Sequence, residues 1–187
     1  MSSIIGIQTI WEAILTEAKV LGINFESLVD GEGVRVTVFF SGCKHYCEGC
    51  HNPLSHDFQN GRPFTDQIQN DLIDYIRSTP FIDGITLSGG DPMYSASSIT
   101  PFVRRIKNDI CDKKVTIWIY SGFTYEEICK HTEMFELMAL CDVLVDGPFI
   151  AKYKGLNLPY KGSSNQRIID IQASIEADAA VVLNGGF

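Results

Sequence analysis

The sequence has no run of 18 or more apolar residues, which predicts that no helix crosses a membrane. Residues 1–5 also lack the basic start and the long apolar stretch of a signal peptide, which favours a cytoplasmic location. Positive charge is scarce: the chain has 15 lysines and arginines and 23 aspartates and glutamates, which gives a net charge of −8. Nonspecific nucleic-acid binding needs a positive surface, so this balance argues against it.

A fourth cysteine is missing from the most informative motif, in which Cys43, Cys47 and Cys50 are spaced C-x3-C-x2-C. Three thiolates can hold three corners of a 4Fe-4S cluster, and the fourth iron is then left without a protein ligand. A cluster that only transfers electrons usually has all four corners filled. The spacing therefore predicts a cluster that binds a small molecule at its open iron.

Two other metal sites share part of this pattern. A zinc site would need a fourth ligand and would normally show a second C-x2-C pair, which the sequence lacks. A ferredoxin-type site would show C-x2-C-x2-C and a remote cysteine followed by proline. The histidines that could complete a zinc site are His45, His51 and His56. The remaining cysteines do not precede proline, and we expect them to be buried structural thiols: Cys111, Cys129 and Cys141.

Strand-like and helix-like runs alternate along the chain. The predicted strands span residues 34–40, 82–87, 115–120, 143–145 and 166–171. The predicted helices span residues 65–77 and 99–110, and a third helix opens at a capping-box pattern that starts at Thr124. Such alternation with short links predicts an α/β fold with a mainly parallel sheet. Because a full eight-stranded barrel takes about 250 residues, we expect a partial (β/α) barrel or an open sheet.

Four motifs follow predicted strands: the cysteine loop, the run Ser88–Pro92, the pair at 121–122 and the pair at 146–147. Because the carboxyl ends of parallel strands meet at one edge of a sheet, we expect all four to converge there. The glycines of the second motif let the backbone approach a ligand closely. Asp91 in the same motif supplies an acceptor for an ammonium group.

With these motifs the chain resembles the radical S-adenosylmethionine enzymes, through the cysteine spacing and Gly89–Pro92. Within that superfamily it is most similar to the activating proteins of glycyl-radical enzymes, in particular those of anaerobic (class III) ribonucleoside-triphosphate reductases. The resemblance assigns residues 23–187 to a radical-SAM domain and 1–22 to an N-terminal extension, in which residues 10–18 could form a helical face. The runs that carry the resemblance are 29–35, 40–43, 50–53, 87–92, 118–122, 143–147 and 162–167.

The resemblance also implies which residues hold the cofactors. The 4Fe-4S cluster is bound by Cys43, Cys47 and Cys50, and the amine and carboxylate of S-adenosylmethionine chelate the open iron. The glycine-rich run holds the amino group of S-adenosylmethionine through Gly89, Gly90 and Asp91. Further contacts are expected from the backbone that faces the adenine and from two later strand ends: Gly49, Cys50, His51, Ser121 and Asp146.

The implied reaction is reductive cleavage of S-adenosylmethionine, and the 5′-deoxyadenosyl radical then abstracts hydrogen from a glycine of the partner. That partner is the large subunit of anaerobic ribonucleoside-triphosphate reductase, and the electron comes from a donor such as flavodoxin or ferredoxin. No acid–base side chain is required. The alternatives are an activator of pyruvate formate-lyase or of another glycyl-radical enzyme, a zinc-stabilised binding module, and a passive electron carrier.

Overall fold

The computed structural model describes residues 17–155 and 157–183. In these residues one sheet contains eight strands: β1 (Lys19–Ser27), β2 (Arg35–Phe40), β3 (Arg62–Pro63), β4 (Gly84–Gly89), β5 (Thr116–Tyr120), β6 (Val143–Asp146), β7 (Arg167–Asp170) and β8 (Val181–Val182). The α-helices are α1 (Asp66–Ser78), α2 (Ala96–Asp109), α3 (Tyr125–Ile128), α4 (Thr132–Ala139) and α5 (Ile171–Ala177). The predicted α/β class is therefore confirmed.

The sheet is mixed, with strand order β3-β1-β2-β4-β5-β6-β7-β8. The pairs β2–β4, β4–β5 and β5–β6 are parallel. The pairs β1–β2, β1–β3, β6–β7 and β7–β8 are antiparallel, so the prediction of a mainly parallel sheet is wrong. α-Helical crossovers link the four central strands, whereas β7 lies directly beside β6 and the described residues between these two strands form no α-helix. No pairing closes the described sheet into a barrel, because β3 and β8 are its two edges.

The two faces of the sheet carry different side chains. In β5, Ile117 and Ile119 point into the main core, which the helices cover, whereas Trp118 belongs to a smaller cluster with Val145 and Ile168. This follows from the alternation of side chains along a strand. The helix α3 begins at the predicted capping box. The hydroxyl of Thr124 accepts a hydrogen bond from the backbone N–H of Glu127, and the carboxylate of Glu127 accepts one from the backbone N–H of Thr124.

Arg35 is fully buried at the start of β2, at the ends of the strands that lie opposite the cysteine loop. All five of its N–H groups donate hydrogen bonds, to the hydroxyls of Thr86 and Thr116 and to the carbonyls of Glu32, Ile85 and Thr116. Burial lowers the pKa of Arg35 to about 10. The side chain ties together β2, β4 and β5.

The start and the tail of the described chain contain elements that the sequence left unassigned. β1 begins at Lys19 and so crosses the predicted boundary between residues 22 and 23. Of the predicted helical face at residues 10–18, residues 10–16 lie outside the described residues, and Ala18 is buried directly before β1. The domain assignment stays a prediction. In the tail, α5 and β8 follow β7. None of the helices in the described parts of the chain is long and apolar enough to cross a membrane.

Candidate functional site

The carboxyl ends of the central strands open onto one cavity of about 810 Å³. A volume of this size suits a ligand of cofactor dimensions. Each of the four predicted strand-end motifs contributes to its wall, which confirms that they converge: Cys43, Cys47, Cys50 and His51 from the cysteine loop, Ser88, Gly89 and Gly90 after β4, Ser121 and Gly122 after β5, and Gly147 after β6.

The cysteine loop follows β2 directly and carries three unpaired thiols. Cys43 is buried, and Cys47 and Cys50 are half-buried. The backbone N–H of Gly42 donates to the carbonyl of Ser55 at 2.8 Å, which folds the loop back on the following turn. Only glycine fits at residue 42, because its φ is +99° and a Cβ would lie 2.4 Å from the ring of Phe58.

Three thiols around one large cavity suit the donor chemistry of an iron–sulfur cluster. Burial, followed by the nearby charges, raises the pKa of the Cys43 thiol to about 11. Metal binding at this thiol must therefore release a proton. Among the residues that the structure describes, no three His, Cys, Asp or Glu side chains are grouped closely enough to hold a single metal ion.

The glycine pair after β4 packs directly on the cysteine loop. A Cβ at Gly89, where φ is +104°, would lie 2.4 Å from the carbonyl oxygen of Phe40. A Cβ at Gly90 would lie 2.6 Å from the carbonyl oxygen of Gly42. The backbone N–H of Gly90 donates to Phe40 at 2.7 Å, and that of Asp91 donates to Gly42 at 3.0 Å. The glycines therefore border the cavity and also let β4 reach the loop that carries the cysteines.

Asp91 is 1% exposed and is not among the residues that line the cavity. Its Oδ2 lies 2.7 Å from Nε2 of His45 and accepts from the hydroxyl of Ser121 and the backbone N–H of Gly122, both at 2.9 Å. Its Oδ1 accepts from the backbone N–H of Met93 at 3.0 Å. The structure therefore places this carboxylate behind the cavity wall, where it joins the cysteine loop to the end of β5.

Ser121 and Asp146 occupy different positions relative to the cavity. Ser121 lines it, and its hydroxyl oxygen accepts from the backbone N–H of Phe123 while it donates to Asp91. Asp146 is 1% exposed and lies outside the lining. Its carboxylate accepts from the backbone N–H of Tyr125 at 2.8 Å and from Nε of Arg167 at 3.0 Å. Asp146 thus joins the end of β6 to the starts of α3 and β7.

Arg167 also pairs with Glu126, whose carboxylate lies 2.7 Å from the guanidinium. The hydrogen bonds from Arg167 are the main cause that lowers the pKa of Glu126 from 4.5 to about 2. Because the folded-state pKa lies below the unfolded value, the pair stabilises the fold above about pH 4.5, and this contribution is lost as the pH falls toward 2. The Glu126 side chain is about half exposed, so solvent limits the gain.

We therefore expect the substitution Glu126→Gln to flatten the loss of thermal stability between about pH 5 and pH 3. The measurement is thermal unfolding of the cluster-free protein across this range, so that acid loss of a cluster does not contribute. Glu136→Gln, on the exposed side of α4, is the matched control and should keep the slope of the unmodified protein. An unchanged slope in Glu126→Gln would contradict the assignment.

The segment around the third cysteine, residues 49–51, lies only partly at the cavity. Cys50 and His51 line the cavity, whereas Gly49 does not. Gly49 has a φ of +72°, and a Cβ there would lie 3.7 Å from the ring of Phe149, which does line the cavity. The sequence did not single out Phe149. The aromatic ring of Phe149 lies beside Gly49, which has no side chain of its own.

Other lining residues also went unassigned from the sequence. Asp30 lines the cavity, and its Oδ2 accepts from the hydroxyl of Thr37 at 3.0 Å. Gln166 accepts from the backbone N–H of Gly162 at 2.9 Å and donates to the carbonyl of Gly147 at 3.0 Å, which joins two parts of the wall. Both residues lie in runs that carry the family resemblance, so the resemblance was the signal in the sequence that could have identified them as lining residues.

Two of the cysteines outside the motif contradict the expectation of burial. Cys111 and Cys129 are exposed because each lies just beyond the end of a helix, after α2 and after α3. Cys141 is buried as expected, and burial raises its pKa.

Comparison with known proteins places this site in a family. A family model described as a 4Fe-4S single cluster domain matches residues 29–169. The anaerobic ribonucleoside-triphosphate reductase-activating protein of Haemophilus influenzae is 38% identical over 144 residues, which cover 75% of this chain and 90% of that protein. This chain belongs to that family of activating proteins. Its members in Escherichia coli K12 and phage T4 are each 36% identical and cover 74% and 75% of this chain.

The family match supports an iron–sulfur cluster as a cofactor of this chain. The matched residues contain the cysteine loop, the glycine pair after β4 and the ends of β5 and β6, which all line the cavity, whereas the lining residues of β1 precede the match. The names of the relatives support an activator, as the resemblance of the sequence implied.

Proposed function

We propose that this protein activates an anaerobic ribonucleoside-triphosphate reductase by forming a glycyl radical on its large subunit. The observation that carries the proposal is the convergence of three free thiols and a glycine-rich strand end on one cavity of about 810 Å³, in a chain of the activating-protein family. The parallel central strands, with the cavity at their carboxyl ends, are consistent with a radical-SAM type of partial barrel.

In this proposal Cys43, Cys47 and Cys50 hold a 4Fe-4S cluster and leave one iron open to S-adenosylmethionine. Bound there, the cluster would supply the electron for cleavage of the S–C5′ bond of S-adenosylmethionine, which would give methionine and a 5′-deoxyadenosyl radical able to take a hydrogen atom from the partner's glycine. The electron donor is a protein such as flavodoxin or ferredoxin, and the reaction is cytoplasmic. The chemistry belongs to the cofactors, and the chain binds and orients them.

In this proposal the residues of the chain border the cavity or hold its wall in place. Gly89 and Gly90 present backbone at the cavity wall, where the amino group of S-adenosylmethionine would be held. Asp91 acts from behind this wall, since its hydrogen bonds to His45 and Ser121 fix the cysteine loop against the end of β5. Asp146 acts similarly by fixing the end of β6 through Arg167. No side chain is assigned to proton transfer.

The adenine end of the cavity would be formed by the segment from Gly49 to His51 together with Phe149. Because residue 49 has no side chain, the ring of Phe149 supplies the apolar surface at this point. Exposed apolar side chains lie at or near the cavity: Val29 lines it, Tyr46 lies between the lining residues His45 and Cys47, and Leu54 lies two residues from both Asn52 and His56. Exposed apolar groups near a cavity favour a protein partner at its mouth.

The test is anaerobic reconstitution with iron and sulfide, followed by dithionite and S-adenosylmethionine. We expect 5′-deoxyadenosine, and after addition of the reductase large subunit we expect the doublet of a glycyl radical in the electron paramagnetic resonance spectrum. A well-formed cluster that yields no 5′-deoxyadenosine would refute the proposal. A doublet obtained only with pyruvate formate-lyase would reassign the partner, and one zinc without sulfide would indicate a binding module.

A further inference from the structure

His56 is held against the cysteine loop by both its backbone and its ring. It ends the short 3-10 helix Pro53–His56, which follows the loop. Its carbonyl oxygen faces the backbone N–H of Cys43 at 3.5 Å. Its ring packs edge-on against Tyr46, with the ring centroids 5.1 Å apart and an interplanar angle of 74°. His56 is also one of the residues that line the cavity, together with the three cysteines.

The Nε2 atom of His56 is buried and has no hydrogen-bond partner among the described residues. A buried polar nitrogen without a partner costs about 1–3 kcal/mol, and folded proteins rarely leave one. His45 provides the contrast, because its Nε2 lies 2.7 Å from Asp91 within the protein. An acceptor held in the cavity would satisfy this nitrogen.

We propose that His56 donates a hydrogen bond from Nε2 to the iron–sulfur cluster, at an inorganic sulfide or at a cysteine thiolate that binds iron. This inference rests on the proposed function, in which the three cysteines hold the cluster. Thiolate and sulfide are the acceptors expected there, and a neutral imidazole with its proton on Nε2 donates one hydrogen bond. His56 thereby acts on the cluster without ligating a metal.

A hydrogen bond to cluster sulfur raises the reduction potential. The reduced cluster carries one more negative charge than the oxidised cluster, so a donor stabilises the reduced form more. His56 therefore makes the cluster easier to reduce by a one-electron donor. Its loss should shift the potential to more negative values.

The experiment measures the midpoint potential of the reconstituted cluster by redox titration, without S-adenosylmethionine. His56→Phe keeps an aromatic ring against Tyr46 but removes the donor, and we expect a more negative potential. His56→Gln places an amide N–H near the same position, and we expect it to recover most of the shift. His131→Phe, at an exposed residue outside the cavity lining, is the matched control and should match the unmodified protein.

A potential in His56→Phe equal to that of the unmodified protein, at equal iron and sulfide content, would overturn the inference. So would an equal shift in His56→Gln and His56→Phe. If the unmodified protein forms no cluster, the proposed function fails instead, which separates the two outcomes.

A second measurement covers the case in which His56→Phe loses its cluster. The unmodified protein and His56→Gln are labelled with ¹⁵N-histidine, and the reduced clusters are studied by pulsed electron paramagnetic resonance. We expect a weak ¹⁵N coupling in the unmodified protein that is lost in His56→Gln. A coupling that persists would assign the contact to another histidine and overturn the inference.

Discussion

Replacing Cys47 by alanine is expected to abolish cluster binding and to reduce formation of 5′-deoxyadenosine to background. With two thiolates left, two irons of the cube would lack protein ligands, and the cluster would not be retained. Cys47 is half-buried in a loop, so the cluster-free variant should keep its fold, with a change in unfolding free energy of less than about 0.5 kcal/mol. Iron and sulfide analysis, product analysis and thermal unfolding measure the three effects.

The matched control is Cys111→Ala, since Cys111 is exposed and does not line the cavity. It should retain full iron content and full activity. If Cys47→Ala keeps both its iron and its activity, the cysteine loop does not hold the cluster, and the proposal for the site is wrong.

The second large effect is expected at Asp91. In Asp91→Asn an amide N–H₂ replaces one of two oxygens. Oδ2 lies against the ring nitrogen of His45, the hydroxyl of Ser121 and the backbone N–H of Gly122, and Oδ1 accepts from the backbone N–H of Met93. Donor then faces donor in a buried position. We expect a loss of about 2–4 kcal/mol in the free energy of unfolding and a lower affinity of the site for iron.

Denaturant unfolding of the cluster-free protein measures this loss, and iron retention after gel filtration measures the effect on the site. Asp74→Asn is the control, because Asp74 is exposed and forms a surface pair with Arg77 at 3.2 Å. Surface pairs of this kind contribute at most about 1 kcal/mol. Equal stability of Asp91→Asn and Asp74→Asn would show that Asp91 does not join the loops as described.

Much of the central fold could be predicted because its signals are local. The β-branched and aromatic run of β2, the helical spacing in α1 and the capping box of α3 each depend on residues that are close in the chain. The convergence of the strand ends also followed, since it needs only parallel central strands. β2, β4, β5 and β6 meet that condition.

Strand direction at the borders of the sheet could not be predicted in the same way. The pattern of a strand is the same in either direction, and direction depends on the path of the connection. Residues 147–166 are long enough for a crossover, but the described ones among them form no α-helix. They contain a short 3-10 helix, Ala151–Tyr153, and several of them line the cavity. β7 therefore returns antiparallel to β6.

The role of Asp91 could also not be predicted from the sequence. Asp91 could be recognised as a strand-end acceptor, but its partners His45, Ser121 and Gly122 are 46, 30 and 31 residues away in the chain. The sequence does not show that these donors already occupy the carboxylate. His56 was recognised only as a possible zinc ligand, because the burial of its Nε2 depends on the folded loop.

The border strands β3 and β8 are two residues long each. A neighbouring molecule that paired with β3 or β8 would find backbone partners for only a few hydrogen bonds on either of these two strands. Such brief borders discourage the strand-by-strand stacking that leads to fibrils. The longer strand β1 meets β3 only at Lys19 and Val20, so a further strand could add mainly along the rest of β1, up to Ser27.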